Sequence, residues 1–155
     1  WIAGLAWSPD ARTLYWADTK AHQVFAFDFD SGAGAISRRR VFAQFPVKRP
    51  DQDPASYGGR PDGACVDVEG HYWVAMYEGG CVLRLAPSGA VVQRVELPLR
   101  CPTMPCLGGE DLKTLFITSS RQGRSEAELA AMPGSGCIWA MRVDVPGLPV
   151  NFYKA

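Results

Sequence analysis

The sequence predicts an all-β fold of the propeller type, in which small antiparallel sheets surround a central channel. Short apolar runs rich in aromatic and β-branched residues alternate with tight turns of Gly, Pro and Asp along the chain. The order of runs and turns also repeats: Gly63 follows Gly4 by 59 residues, and Val82 follows Val24 by 58. Repeats of four short strands with a period of roughly 40–60 residues are typical of propellers, whereas a sandwich needs no such internal register.

The first unit is predicted at about residues 4–45. Its four strands are three apolar runs and one more polar run, at residues 4–7, 13–18, 24–27 and 37–45. Pro9 and Asp10 supply the first turn, and a Gly- and Asp-rich segment at 28–34 supplies the last one. The unit therefore has the strands and short connections of one propeller blade.

The second unit is predicted at about residues 63–98, after a connection rich in Pro, Asp and Gly. Its strands are at residues 64–66, 72–75, 81–85 and 91–97. Pro61 fixes its own φ and Gly63 permits a sharp turn, so Asp62 is held at the mouth of the first strand. Asp67 is interpreted as a turn residue, and Asp62 taken alone has the same simple interpretation, a turn or capping aspartate.

The third unit is predicted at about residues 105–153. Its strands are at residues 106–107, 115–118 and 137–141, and a fourth is represented only by 148–153. An insert at 120–135 contains one or two predicted helical turns, which Pro133 and Gly134 end. Three units are fewer than the roughly four to eight blades that close a ring, and an open arc exposes apolar faces. We therefore expect missing sequence, another chain or a cleaved partner to complete the ring.

Composition excludes several functional classes. With 155 residues, 47% of them hydrophobic, and a net charge of zero, the chain has the length of about one domain and lacks the basic surface of a nucleic-acid-binding protein. No apolar run of about 18 residues and no signal peptide is visible, so no membrane association is predicted. The sequence also predicts no organic cofactor site.

The cysteines and histidines indicate neither a zinc site nor a disulfide framework. The five cysteines are odd in number and lack C-x-x-C spacing. Cys65, Cys81 and Cys137 lie in apolar runs and are predicted to be buried reduced thiols of a cytoplasmic protein. His22 and His71 are far apart in turn-like settings and are predicted to be surface residues, so a histidine metal site or a Ser-His triad is not expected.

An ordered series of motifs resembles the regucalcin, gluconolactonase and luciferin-regenerating-enzyme family, the senescence-marker-protein-like six-bladed propellers. The motifs are Gly4-Leu5-Ala6-Trp7-Ser8-Pro9-Asp10, Ala26-Phe27-Asp28-Phe29-Asp30, Arg39-Arg40-Val41-Phe42, Arg60-Pro61-Asp62-Gly63, Val66-Asp67-Val68-Glu69-Gly70, Trp73-Val74-Ala75 and Cys106-Leu107-Gly108-Gly109. They span nearly the whole chain. The resemblance implies that residues 1–155 are the C-terminal half of such a propeller and supply about three of its six blades.

The resemblance also implies a metal site. In this family one divalent cation, usually calcium, lies in the channel on a Glu of the first blade, an Asn before the Gly-Leu strand, and the Asp of the Pro-Asp-Gly motif. Asp62 matches that Asp, whereas the position of the Asn is held by Ala3, which has no side-chain oxygen. The Glu belongs to the half that this sequence does not contain. Calcium is thus the expected ion, with zinc, magnesium or manganese as alternatives.

The repeat register supports a functional interpretation of Asp62 independently of the resemblance. Ala3, Asp62 and Pro105 each immediately precede the first predicted strand of their unit, so they are expected to face the channel together. Asp62 is the only ionisable residue of the three. A carboxylate at one position, with apolar residues at the two equivalent positions, is better explained by a ligand than by a shared structural need.

The chemistry implied by the resemblance is hydrolysis of a sugar lactone. A divalent cation would polarise the ring carbonyl as a Lewis acid, and Asp62 would be both metal ligand and catalytic base for the attacking water. One alternative is a non-catalytic propeller that binds a small molecule or a protein, with Ala3 marking a decayed metal site. Another keeps the fold and the metal but hydrolyses phosphotriesters or aryl esters, although such enzymes usually have more channel carboxylates.

Overall fold

The computed structural model describes residues 2–150 and confirms the all-β prediction. Within this part of the chain, eleven strands are accompanied by one α-helix and one short 3-10 helix. The strands are β1 (Ile2–Trp7), β2 (Thr13–Asp18), β3 (Gln23–Asp30), β4 (Ala35–Gln44), β5 (Arg60–Val66), β6 (Tyr72–Tyr77), β7 (Cys81–Leu85), β8 (Val91–Glu96), β9 (Pro102–Gly108), β10 (Thr114–Ser119) and β11 (Trp139–Arg142). The 3-10 helix is Pro54–Ser56, and the α-helix α1 is Glu126–Ala131.

The strands form three antiparallel sheets of consecutive neighbours. The first sheet has the order β1-β2-β3-β4, the second β5-β6-β7-β8, and the third β9-β10-β11. Short turns join neighbouring strands, as the positions of Gly, Pro and Asp predict, except that a long insert containing α1 joins β10 to β11. Each sheet is therefore a simple meander whose first strand lies at one edge.

The first strands of the three sheets lie side by side, with β5 between β1 and β9. Gly63 permits this approach on one side, since a Cβ built on it would lie 2.4 Å from Sδ of Met104 in β9. Gly4 permits it on the other side, since its Cβ would lie 2.6 Å from the carbonyl oxygen of Asp62. Gly4 also has φ of +59°, which favours glycine. These two glycines let three strand edges converge where a propeller has its channel.

Two apolar layers hold the sheets together. Tyr15 and Ala17 of the first sheet pack against a cluster that includes Tyr72 and Val74 of the second sheet. On the opposite face of the second sheet, Trp73 packs in a cluster with strand residues of the third sheet, Leu107, Leu115 and Ile117. Each fully buried large apolar side chain contributes about 1.5–3 kcal/mol. The alternation along β6 thus supplies both layers from one strand.

The outer faces of the first and third sheets are apolar and exposed. Leu5 and Trp7 point away from the core residue Ala6, and Trp7 makes an edge contact with Phe29. On the third sheet, Phe116 is exposed between the buried residues Leu115 and Ile117. One outer face thus carries Leu5 and Trp7, and the other carries Phe116. In a closed ring, neighbouring blades cover both faces.

The third unit agrees with the sequence prediction in its insert and differs in its last strand. Ser125 caps α1 by accepting a hydrogen bond from the backbone N–H of Glu128 at 3.2 Å, as an N-cap serine should. Residues 148–150 form no strand, and residues 151–153 of the predicted fourth strand lie outside the described residues. The third sheet has three strands in the described part of the chain.

The five cysteines are free, as predicted. Cys81 and Cys101 are buried and Cys65 is half-buried, whereas Cys106 and Cys137 are exposed. The burial predicted for Cys137 is wrong because β11 begins only at Trp139, which leaves Cys137 in the preceding turn. Burial raises the pKa of Cys65 to about 12 and that of Cys81 to about 11. In residues 2–150, no helix has the length and apolar character needed to cross a membrane.

Candidate functional site

A cavity of about 660 Å³ lies at the end of the sheets where the first strands converge. Residues from all three units line it: Thr19, Lys20, His22, Arg60, Asp62, Tyr77, Thr103, Ser120 and Gln122. The second sheet supplies Asp62, the β2–β3 turn supplies Lys20, and β9 supplies Thr103. A volume of this size is in the usual range of small-molecule sites.

Asp62 lines this cavity from an irregular part of β5. The pairing of β5 with β6 is regular up to Pro61 and resumes at Ala64, so Asp62 and Gly63 form an irregularity in the strand edge. The strand begins at Arg60, four residues earlier than the sequence indicates, and Asp62 is its third residue. A bulge of this kind turns a side chain away from the regular alternation and is frequent beside functional sites.

The surroundings of Asp62 make its ionisation less favourable than that of an aspartate in water. Burial raises the pKa of Asp62 above its ordinary value of 3.8, and the positive charge of Arg60 opposes part of this rise. A carboxylate that is partly removed from water gains more from a bound cation than one that is fully hydrated. The Asp62 carboxylate and the hydroxyl oxygens of Thr103 and Ser120 in the same cavity are oxygen donors of the kind that calcium and magnesium prefer.

The structure places the equivalent residues of the neighbouring strands differently from the prediction. Ala3 and Pro105 lie within β1 and β9, and neither lines the cavity. The residue of β9 that shares the cavity with Asp62 is Thr103, which lies at an irregularity in the pairing with β10. The alignment of the repeats did not identify Thr103, because an extra residue in one strand shifts the strand register by one position.

Glu78 organises the rim of the cavity. Its side chain is largely buried and accepts hydrogen bonds from Lys48 at 3.0 Å, Arg60 at 2.9 Å and Arg124 at 3.3 Å. Arg60 also lies over the ring of the cavity residue Tyr77, at 4.9 Å from its centroid. The three cations come from different segments of the chain. One carboxylate therefore fixes the position of Arg60 beside Asp62.

His22 is buried, in contrast to the surface position predicted for it. Its Nε2 lies 2.6 Å from the hydroxyl of Tyr57, and its Nδ1 lies 3.2 Å from the carbonyl oxygen of Lys20. The connection between the first two sheets folds over the β2–β3 turn and covers the imidazole. His71 is half-buried in the β5–β6 turn, so the surface prediction is inaccurate for both histidines.

A second group of ligand-type side chains lies in the β5–β6 turn. One ligand atom from each of Asp67, Glu69 and His71 falls within 4.8 Å of the others. Arg84 enters this group and donates to Asp67 and Glu69 at 2.7 and 2.9 Å. Because the guanidinium already supplies the positive charge, the geometry favours a structural ion-pair network rather than a metal site here.

Comparisons with known proteins show which protein family the sequence matches. Residues 2–121 match the family described as the SMP-30/Gluconolactonase/LRE-like region. The chain is 47% identical over 144 residues to the 6-deoxy-6-sulfogluconolactonase of Pseudomonas putida, with 93% of this chain and 46% of that protein covered. It is 40% identical over 152 residues to the regucalcin of Danio rerio, with coverages of 97% and 48%.

A solved structure shows the same fold. The regucalcin of Agrobacterium tumefaciens, described as a calcium-binding protein, is similar with a TM-score of 0.86 and 28% identity. The similarity covers 99% of this chain and 50% of that one. This confirms the predicted propeller fold, and the chain spans about half the length of the relatives it matches.

Proposed function

Because the chain belongs to the SMP-30/gluconolactonase/LRE-like family, we propose that it forms three consecutive blades in the C-terminal half of a metal-dependent sugar lactonase. The observation that carries this proposal is the position of Asp62. Asp62 lines a cavity of about 660 Å³ where the three first strands converge, and its burial raises its pKa. The sulfogluconolactonase relative supports the reaction class.

The residues present suit a divalent cation, with Asp62 as the carboxylate ligand and Thr103 and Ser120 as neighbouring oxygen donors. Such a cation, most commonly calcium, with zinc, magnesium or manganese as alternatives, would act as a Lewis acid on the lactone carbonyl. Asp62 would also accept the proton of the attacking water once the substrate is in place. Gln122 and the hydroxyls of the cavity would hydrogen-bond the substrate hydroxyls and orient the ring.

A complete ring is part of the proposal. The outer faces at Leu5 and Trp7 and at Phe116 are apolar and require covering. We propose that the N-terminal half of the same protein, or a second chain, packs on both faces and contributes the remaining metal ligands. The partner is thus a half-propeller, and the substrate is a sugar lactone. The five free cysteines favour a reducing compartment, and we place the protein in the cytoplasm.

The main alternative is a non-catalytic propeller that binds a small molecule or a protein. Ala3 favours it, since this residue holds the position of the family's Asn ligand and has no side-chain oxygen. The two proposals differ in their consequences for Asp62. A lactonase needs both the metal and the proton acceptor there, whereas a binding module tolerates the loss of either.

The test is a calcium titration of the assembled protein together with assays of glucono-δ-lactone hydrolysis. Asp62→Ala should abolish both calcium binding and turnover, and Asp51→Ala, which removes an exposed carboxylate outside the cavity, should change neither. Unchanged calcium affinity and turnover in Asp62→Ala would show that Asp62 has only a turn role.

A further inference from the structure

Lys20 is the cation of the cavity that lacks a partner. It lies on the β2–β3 turn and lines the same cavity as Asp62. In the described part of the chain, no carboxylate lies within ion-pairing distance of its ammonium group, although many other basic residues do have such partners. A lysine at a cavity wall with no counter-charge is free to bind an anionic ligand group.

The backbone that carries Lys20 is fixed from several directions. Oδ1 of Asp18 accepts a hydrogen bond from the N–H of Ala21 at 3.1 Å. The ring of His22, held by Tyr57 at 2.6 Å, also contacts the carbonyl oxygen of Lys20 at 3.2 Å. His22 itself has φ of +56°, which shapes a tight turn. The ammonium therefore extends from an anchored support, which lowers the entropic cost of binding.

The other charged residues of the cavity have roles of their own, so Lys20 is the cation available to an anionic ligand. Arg60 is engaged with Glu78 at 2.9 Å, and Asp62 is assigned to the metal. Thr19, which also lines the cavity beside Lys20, has an enclosed hydroxyl with no hydrogen-bond partner among the described residues. The β2–β3 turn thus presents an unpaired positive charge to the cavity, and this charge favours an anionic ligand group.

We propose that Lys20 is a specificity-determining residue that selects lactones carrying an anionic oxygen group, such as a phosphate or a sulfonate, away from the reacting carbonyl. This inference rests on the proposed lactonase function and assigns the two ends of the substrate. The carbonyl end lies at Asp62, and the anionic end lies at the β2–β3 turn. Thr103, Ser120 and Gln122, neutral residues of the same cavity, would hydrogen-bond the hydroxyl groups of the sugar.

The experiment compares kcat/KM for 6-phosphoglucono-δ-lactone and glucono-δ-lactone in the assembled protein. Lys20→Met keeps the length of the side chain and removes its charge. The kcat/KM for the phosphorylated lactone, divided by that for the neutral lactone, should fall roughly 10-fold or more. Lys20→Arg should restore most of the preference. Lys113→Met, on the β9–β10 turn away from the cavity, should leave the ratio as it is. The wild-type preference should also weaken as salt is added.

If Lys20→Met changes kcat/KM equally for both lactones, their ratio stays the same. This result would refute the anion subsite and leave the lactonase proposal unaffected. If the wild-type protein hydrolyses neither lactone, the lactonase proposal fails and calorimetric binding of 6-phosphogluconate decides the subsite. Binding that Lys20→Met weakens would support the assignment of Lys20. Absent binding, or binding that does not depend on Lys20, would refute it.

Discussion

The guanidinium of Arg84 lies against the buried carboxylate of Asp67, and Oδ2 of Asp67 accepts hydrogen bonds from Nε at 2.8 Å and from Nη2 at 2.7 Å. The same oxygen accepts from the indole N–H of Trp73 at 2.9 Å. The second oxygen, Oδ1, accepts from the backbone N–H groups of Glu69 and His71, both at 3.0 Å. The side chain of Asp67 is fully buried, with 0% exposure. Every acceptor position of this carboxylate is thus engaged within the second sheet.

This arrangement predicts that Asp67→Ala lowers the free energy of unfolding by about 3–5 kcal/mol, because it removes the buried partner of Arg84 and leaves the exposed carboxylate of Glu69 as the remaining acidic partner of this largely buried cation. Urea denaturation of the assembled protein measures the change. The matched control Asp51→Ala removes an exposed carboxylate and should cost less than about 0.5 kcal/mol. Asp67→Ala combined with Arg84→Met should recover part of the loss. Equal costs in Asp67→Ala and Asp51→Ala would contradict the structural role.

The ionised carboxylate of Asp62 should lower the stability of the metal-free protein, whereas that of Asp67 raises it. Its pKa in the folded protein is raised above 3.8, chiefly by burial. The stability that Asp62 contributes is therefore fully present below its unfolded pKa and is lost as the pH rises through the folded pKa. Asp62→Asn should raise the Tm of the metal-free protein at pH 7, and this gain should vanish as the pH falls below about 3.8.

Thermal melts in a chelator across this pH range test the prediction, and added calcium should raise the Tm of the wild type but not of Asp62→Asn. Asp10 provides the contrast. It is exposed, and its hydrogen bond from Ser8 lowers its pKa, so Asp10→Asn should lower the Tm at pH 7. A lower Tm for Asp62→Asn at pH 7 would mean that the carboxylate serves the local turn instead of a ligand.

The outer faces of the first and third sheets predict the behaviour of the isolated chain. With Leu5, Trp7 and Phe116 exposed, residues 1–155 expressed alone should elute as associated species and bind a hydrophobic dye. Placing one lysine on each face, with Leu5→Lys and Phe116→Lys, should reduce both effects. Val47→Lys is the control, because Val47 is exposed on the connection outside the sheets. A dye-free monomer with a sharp thermal transition would contradict the need for covering blades.

Thiol labelling should distinguish two classes of cysteine and report ring closure. In the isolated chain, Cys106 and Cys137 should react rapidly with a disulfide reagent because they are exposed. Cys65, with a pKa raised to about 12, and the buried Cys81 and Cys101 should react only on unfolding. Cys106 lies opposite Phe116 on the outer face of the third sheet, so it should become protected in the assembled ring. Equal reactivity of Cys106 in both forms would argue against a blade on that face.

The strands and the insert could be predicted because their signals are local. Alternating apolar residues, the turns at Pro9 and Gly70, and the serine before α1 each act within a few residues. The site could be predicted only in part, because its contacts join distant positions. Tyr57 is 35 residues from His22, and Arg124 is 46 residues from Glu78. No local pattern indicates that such pairs meet, which is why the sequence placed His22 on the surface.

The burial of Asp67 was missed for a related reason. Turn chemistry explains an aspartate before Glu69 and Gly70 without any further role, and this interpretation is correct for the backbone. The partner that makes the residue structural is Arg84, 17 residues later on the third strand of the same sheet. Only the pairing of β6 with β7 brings the two together, because Arg84 lies opposite Trp73.

The contacts at the rim of the cavity depend on the ionisation of one residue, Glu78. Burial opposes its ionisation, but the hydrogen bond from Lys48 and the charges of Arg60 and Arg124 prevail, so its pKa lies below the ordinary value. The stability it contributes is present at neutral pH and is lost as the pH falls through that lowered pKa. One proton on Glu78 would weaken its ion pairs with Lys48, Arg60 and Arg124 at once. The connection before β5, the start of β5 and the insert before α1 share this one carboxylate, so acid should weaken the contacts among all three segments together.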